Sequence, residues 1–216
     1  MEEMQTKKTD KTVERTAESS ATHKKTWKQR FSPERLAVMA IFVALSYVVS
    51  LLEIPMPLFG ARFLMLDFGN VFIVLISFLL GPVEGVLVCF LKEGLRCFTS
   101  TSLCAGELAN FVVTSAYLLV PSIAYARNRT LKTVLITLSV SCLVATGIAL
   151  IANRFLIFPI YAYLFGGKIW EMTVPQAFLA FWPGVLLFNL IKTVSIGLIT
   201  LLLYKRLSNF LKKLKI

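Results

Sequence analysis

FLLGPVEGVLVCFLKE, residues 78–93, is the stretch on which the fold turns. Taken as continuous apolar chain, it belongs to one long helix starting near residue 68. Taken as interrupted, it holds the turn between two short helices. The Gly81-Pro82 pair and Glu84 favour the turn, because a proline inside a helix removes a backbone donor and a carboxylate at mid-membrane is costly. Outward from this point, apolar runs recur at about 36–52, 68–80, 83–97, 107–126, 132–158 and 184–204, separated by Pro, Gly or charged residues. The sequence predicts an all-α integral membrane protein of six transmembrane helices. The second and third helices are short for the ~20 residues a bilayer asks of a span, and the first external loop is long and apolar.

Composition supports a membrane setting. The chain of 216 residues is 56% hydrophobic and only 16% charged, with a mean hydropathy of +0.73, which leaves too little polar surface to cover a soluble core. Residues 1–33 are polar and poor in large apolar groups, so they read as a disordered basic cytoplasmic tail. Residues 34–208 form the predicted membrane domain, and 209–216 a basic cytoplasmic C-terminal tail. Thirty polar residues precede the first apolar run, which does not fit a secretory signal, so that run is expected to be retained.

The net charge of +11 would suggest nucleic acid in a soluble protein. Here the basic residues flank apolar runs, where they set topology and meet anionic headgroups, and no nucleic-acid partner is expected. With six spans and a cytoplasmic start, 17 of the 23 basic residues fall inside: nine through Arg35, three at Arg127, Arg129 and Lys132, and five across Lys205–Lys215. Five spans place fewer there, so the positive-inside rule supports six, with both termini cytoplasmic. The loops at 53–67, 98–105 and 159–183 then face outward. The first, marked by Pro55, Pro57 and Gly60, should pack down on the helices as a lid, and the third is aromatic enough to hold a short interfacial helix.

Polar groups inside the spans are the candidates for function, since each needs a partner or a cavity. Glu107, Asn110, Thr114 and Tyr117 share one face of the fourth helix, Thr146 and Asn153 one face of the fifth, and Asn189, Lys192 and Thr193 lie within one turn of the sixth. Counted from the outer helix ends, Asn110 lies ~6 Å deep, Asn153 and Asn189 ~8 Å, and Lys192 ~12 Å. These depths converge on a polar pocket in the outer half. Alternatives stay open for each residue. Asn110 and Asn153 also suit interhelical glue, Lys192 snorkelling, and Glu107 the positive end of its helix. Lys92, Glu93 and Arg96 read more readily as ion pairs in the interface than as solute contacts.

Other chemistry finds little support. His23 is the single histidine, the four cysteines form no CxxC pair, and Gly166-Gly167-Lys168 lacks the rest of a P-loop, so neither a zinc site nor a histidine triad nor an ATPase is expected. No metal and no catalytic residue is assigned. Cys97 and Cys104 flank one loop, with isolated thiols as the default. A small membrane enzyme would need paired reactive groups at one depth, and only Glu107 with Lys192 approaches that. On the first helix, Ala40 and Ala44 lie four apart on one face, with Ala37 a turn earlier; such small residues admit another helix closely, and spacing alone favours an internal one.

Several fragments, in this order, carry a resemblance: Ala40/Ala44 as AxxxA, a Pro-containing first loop ending Leu66-Asp67-Phe68, FLLGPVEGVLVCFLKE (78–93), GELANF (106–111), NRFLIFPIYAYLFG (153–166) and FNLIK (188–192). The layout over 36–206 resembles the substrate-binding S-components of energy-coupling-factor (ECF) vitamin transporters, in particular the riboflavin-specific ones. The resemblance implies a bacterial cell-membrane protein that binds a vitamin from outside under a gating first loop, to which Pro55, Pro57, Leu66 and Asp67 belong. It also implies that Asn153, Asn189 and Lys192 contact ligand, in the pocket already reached from depth, where Asn110 and, on the same helix face, Glu107 are further candidates. Ala40 and Ala44 would dock on a membrane-embedded coupling subunit with two cytoplasmic ATPases, the S-component toppling in the membrane to release its cargo. Riboflavin is then transported ligand, and no cofactor is expected; folate, pantothenate and similar vitamins are the alternatives. One segment departs from the pattern: where riboflavin members usually read LDFSDIP, this chain has LDFGNVF, with Gly69, Asn70 and Phe72.

Overall fold

The computed structural model describes residues 32–100, 102–128 and 130–213, with side chains described through Leu203. Most of the expected N-terminal tail, Arg129 and the last three residues lie outside the described residues. The chain is predominantly helical. In order come α1 (Pro33–Ser50), β1 (Ile54–Pro55), a 3-10 turn (Leu58–Gly60), β2 (Met65–Leu66), α2 (Asn70–Leu79), α3 (Pro82–Cys97), α4 (Ala105–Arg127), α5 (Leu131–Ala152), a π-helical turn (Asn153–Ile157), α6 (Phe158–Leu164) and α7 (Val174–Lys213). The hydrophobic core lies in the unit from Val38 onward.

The chain breaks between α2 and α3, at Gly81, whose φ of 130° is open to glycine. Pro82 opens α3, where its missing N–H leaves no bond unmade. Gly85 lets α3 close on α2, since a side chain there would collide with Ser77. The helices are 10 and 16 residues long, short as expected. By length and apolar composition, four stretches among the described residues qualify as membrane spans: Pro33–Ser50, Ala105–Arg127, Leu131–Leu164 and Val174–Leu203.

The loop expected at 159–183 is much shorter. Helix α6 continues from α5 directly through the π turn, and α7 already begins at Val174. The prolines suggested breaks, yet Pro159 and Pro175 occupy first turns, where proline is tolerated, and Pro183 is accommodated within α7. At 1.5 Å per residue, the 34 residues of Leu131–Leu164 run roughly 50 Å, well beyond a ~30 Å hydrocarbon layer. The extra length builds one wall of a cavity beneath the first loop. Helix α7 likewise continues to Lys213, past the charge-based boundary at 208.

The core forms where α4 packs on α5, α2 on α3 and α4, and α7 on α2 and α5. Helix α1 presents Met39, Phe42, Val43, Ser46 and Ser50 to it, with Phe42 edge-on to Phe72 at 6.4 Å. Ala40 and Ala44 point the other way and are exposed, beside Ile41, Leu45 and Val48. Internal packing, which spacing favoured for this pair, is therefore corrected: periodicity places two residues on one face but does not say which way that face turns.

Candidate binding cavity

The first loop folds back on itself before it covers anything. Ile54 pairs with Leu66 and Pro55 with Met65 in a two-residue antiparallel ladder, and the Met56 amide donates to the Leu64 carbonyl at 2.8 Å. Ala61, Leu64 and Leu66 are buried. Phe63 stacks on Trp170 at 5.6 Å and meets Phe158 and Phe181 edge-on at 5.9 and 5.8 Å. The turn also lies tight on α7, where a Cβ at Gly184 would come within 2.6 Å of the Leu58 carbonyl oxygen. At its base, Arg96 on α3 donates to Glu53 at 2.6 Å. The loop is thus held by aromatic and ionic contacts at separate points.

Beneath it lies a cavity of about 770 Å³, and all five polar residues singled out for the pocket, Glu107, Asn110, Asn153, Asn189 and Lys192, line it. Their environments differ. The Asn153 Nδ2 donates to the Ala149 carbonyl, and the Asn189 Nδ2 to the Val185 carbonyl, both at 2.8 Å. Each amide therefore spends one of its two N–H donors on its own helix, and the oxygen is on offer to a solute. Glu107 receives hydrogen bonds from Ser100 and Ser102 at 2.8 and 2.9 Å, so α4's first turn ties down the loop before it.

The π turn places Asn153. Pro159 has no N–H, and the Phe158 amide instead donates to the Asn153 carbonyl five residues back. A π turn rotates the next segment relative to a regular helix, and such turns recur at functional sites. Ile157 and Tyr161 consequently line the same cavity as Asn153.

Asn110 is the hub of the floor. Its Oδ1 accepts from Lys192 Nζ, from Asn70 Nδ2 at 2.9 Å and from Thr114 at 3.3 Å, while its Nδ2 donates to Glu93 Oε1 at 2.5 Å and Asp67 Oδ2 at 3.3 Å. Lys92 donates to the same two carboxylate oxygens, at 2.6 Å for Glu93, and Ser50 and the Gly69 amide complete Asp67 at 2.9 and 2.7 Å. Burial, the largest influence, would by itself raise the Asp67 carboxyl, but the Lys92 and Lys192 ammoniums and the Ser50 hydroxyl together outweigh it and hold that group below the usual carboxylate range. Lys192 also sits 5.9 Å from the centre of the Phe188 ring.

Sequence reasoning missed parts of this arrangement. Lys92 and Glu93, which the sequence reads as an ion pair in the interface, are paired inside the protein instead, with Lys92 0% exposed. A Lys-Glu dyad within an apolar run was the available signal. Of the four lid residues, Asp67 lines the cavity, Leu66 is buried beside it, and Pro55 and Pro57 are exposed on the outer turn. Tyr117 and Thr114 do not line the cavity; Tyr117 instead donates to the Thr193 carbonyl of α7 at 2.9 Å. The Gly69 departure has a local cause: a Cβ there would overlap α1 at Ser46 and Ser50, and Ser46 Oγ donates to the Gly69 carbonyl at 2.8 Å.

Charge is balanced throughout. Glu53, Asp67, Glu93, Glu107 and Glu171 line the cavity against Arg62, Arg96, Lys168 and Lys192, and Lys92 behind Asp67 makes the count even. Its volume suits one small organic solute.

A helical membrane chain with a solute-sized polar cavity under a packed loop has the form of a substrate-binding transport component. The chain belongs to the ECF transporter substrate-specific component family, whose model matches residues 34–204. It is accordingly a membrane transport subunit, not an enzyme. It is 30% identical over 181 residues to the riboflavin transporter RibU of Staphylococcus aureus (strain TCH60), covering 84% of this chain and 94% of that one. To the riboflavin transporter FmnP of Bacillus subtilis (strain 168) it is 24% identical over 185 residues, covering 83% and 95%. A solved S component of a bacterial ECF transporter superposes with a TM-score of 0.69 at 31% identity, covering 83% of this chain and 98% of that one.

Proposed function

We propose that this chain captures riboflavin from the outer side of a bacterial cell membrane and delivers it to an ECF coupling module. The observation that carries the reading is a charge-balanced cavity offering two carboxamide oxygens and one ammonium beside aromatic walls. Riboflavin is a neutral tricyclic ring with a polyol tail. Asn153 and Asn189 accept from its hydroxyls or ring N–H, Lys192 donates to ring oxygens, and Phe63, Tyr161, Trp170 and Phe188 supply apolar contact. An anionic vitamin would need an excess of positive charge, and the balance of ionic groups supplies none. The riboflavin names carried by both curated relatives support the same choice.

Six crossings, with α2 and α3 as two short ones, put both termini in the cytoplasm and the first loop outside as the gate. Ala40 and Ala44 then face lipid and dock on the membrane-embedded coupling subunit, which carries two cytoplasmic ATPases. The test is optical. Purified in detergent, the chain should quench riboflavin fluorescence at micromolar concentration or carry flavin absorbance of its own. A colourless preparation that leaves the fluorescence unchanged removes riboflavin as the substrate and leaves the family assignment intact.

A further inference from the structure

Among the described residues, the ion with the least exposure is not a lining residue of the cavity. Lys92 is fully buried, and its ammonium bonds the two carboxylate oxygens, Asp67 Oδ2 and Glu93 Oε1, that also receive the Asn110 amide. Those bonds fix which way the Asn110 carboxamide points. With Nδ2 held by carboxylates, Oδ1 is left to receive Lys192.

We propose that Lys92 is a positioning residue for ligand recognition: by neutralising Asp67 and Glu93 it keeps Lys192 out of their grip and available to the solute. The physical case is one of competition. A buried carboxylate without a cation is costly, so two carboxylates deprived of Lys92 attract the nearest ammonium, and that ammonium is Lys192, one Asn110 side chain away. Lys192 drawn onto Glu93 spends on the protein the hydrogen bonds it otherwise gives the ligand. The same loss frees the base of the first loop, because Asp67 joins α3 to Ser50 of α1 and to the Gly69 amide. Lys92 therefore acts at a distance on both the donor and the lid.

The inference rests on the proposed function only for its optical probe. The full chain in detergent is compared as wild type, Lys92→Met and the double variant Lys92→Met/Glu93→Gln, in which the charge balance returns without the ammonium. Two readouts are taken: quenching of riboflavin fluorescence, and backbone hydrogen exchange over residues 61–69 without ligand. Lys92→Met should weaken riboflavin at least tenfold and speed exchange in that segment several-fold. The double variant should regain at least threefold in affinity and slow the exchange again. Wild-type exchange and affinity in Lys92→Met would overturn the proposal, and so would a double variant as impaired as the single one, including failure of both to fold, because a space-filling role predicts no rescue by neutrality. If the wild type leaves riboflavin fluorescence untouched while the exchange pattern keeps this order, the substrate reading falls and the role of Lys92 stands.

Discussion

The outward face of α1 and the floor of the cavity treat polarity in opposite ways. Along α1, Ala40, Ile41, Ala44, Leu45 and Val48 are exposed and apolar, with no hydrogen-bonding side chain among them. At the floor, Asp67, Lys92, Glu93 and Lys192 are buried ions within one network. An apolar face in which two alanines leave room between larger side chains gains in lipid only from close packing, so it suits a helix of another subunit. A buried ionic network gains nothing as packing and needs every partner satisfied, so it suits the recognition of one polar solute. The two regions should therefore separate genetically, one governing delivery and the other capture.

The largest expected effect lies on α1. Ala40→Trp should abolish riboflavin uptake by cells while leaving binding by the purified chain within about twofold, since an exposed side chain disturbs little inside the fold. Equal loss of binding and uptake would dissolve the contrast. Next comes Lys192→Ala, which should weaken riboflavin by about 1–3 kcal/mol, the range for hydrogen bonds to a charged group, as read by fluorescence titration. Unchanged affinity there would misplace the pocket. Gly184→Val should push the first loop off α7 and raise the dissociation rate several-fold in stopped-flow fluorescence, because its Cβ would meet the Leu58 carbonyl oxygen at 2.6 Å. The smallest effect belongs to Tyr117→Phe, which loses one hydrogen bond to the Thr193 carbonyl outside the cavity. It should lower thermal stability by about 1 kcal/mol and leave riboflavin affinity unchanged.

Much of the fold was legible because its signals are local. Glycine before proline marked the break between α2 and α3, and the apolar runs marked every long helix. Proline was over-read between 159 and 183, since the same residue ends a helix in one setting and opens one in another. The four polar residues whose depths converge, Asn110, Asn153, Asn189 and Lys192, do line one cavity, because rise per residue converts sequence position into height with little help from packing. Rotation about each helix axis was less accessible. It left the direction of Ala40 and Ala44 undecided, and with it the hidden position of Lys92.

The sequence by itself determined that the chain is a membrane-embedded helical protein, that one helix gives way to the next at Gly81-Pro82, and which polar residues could share a level, since transfer free energy and backbone rise accumulate along the chain. Only the tertiary structure decided who partners whom. Asp67 reaches Lys92 across 25 residues and Lys192 reaches Asn110 across 82. Such pairings depend on the rotation of each helix, on a π turn at Asn153 and on a loop pinned by Phe63. Those are set by packing in three dimensions, where the desolvation of one ion is relieved by another far away in the chain.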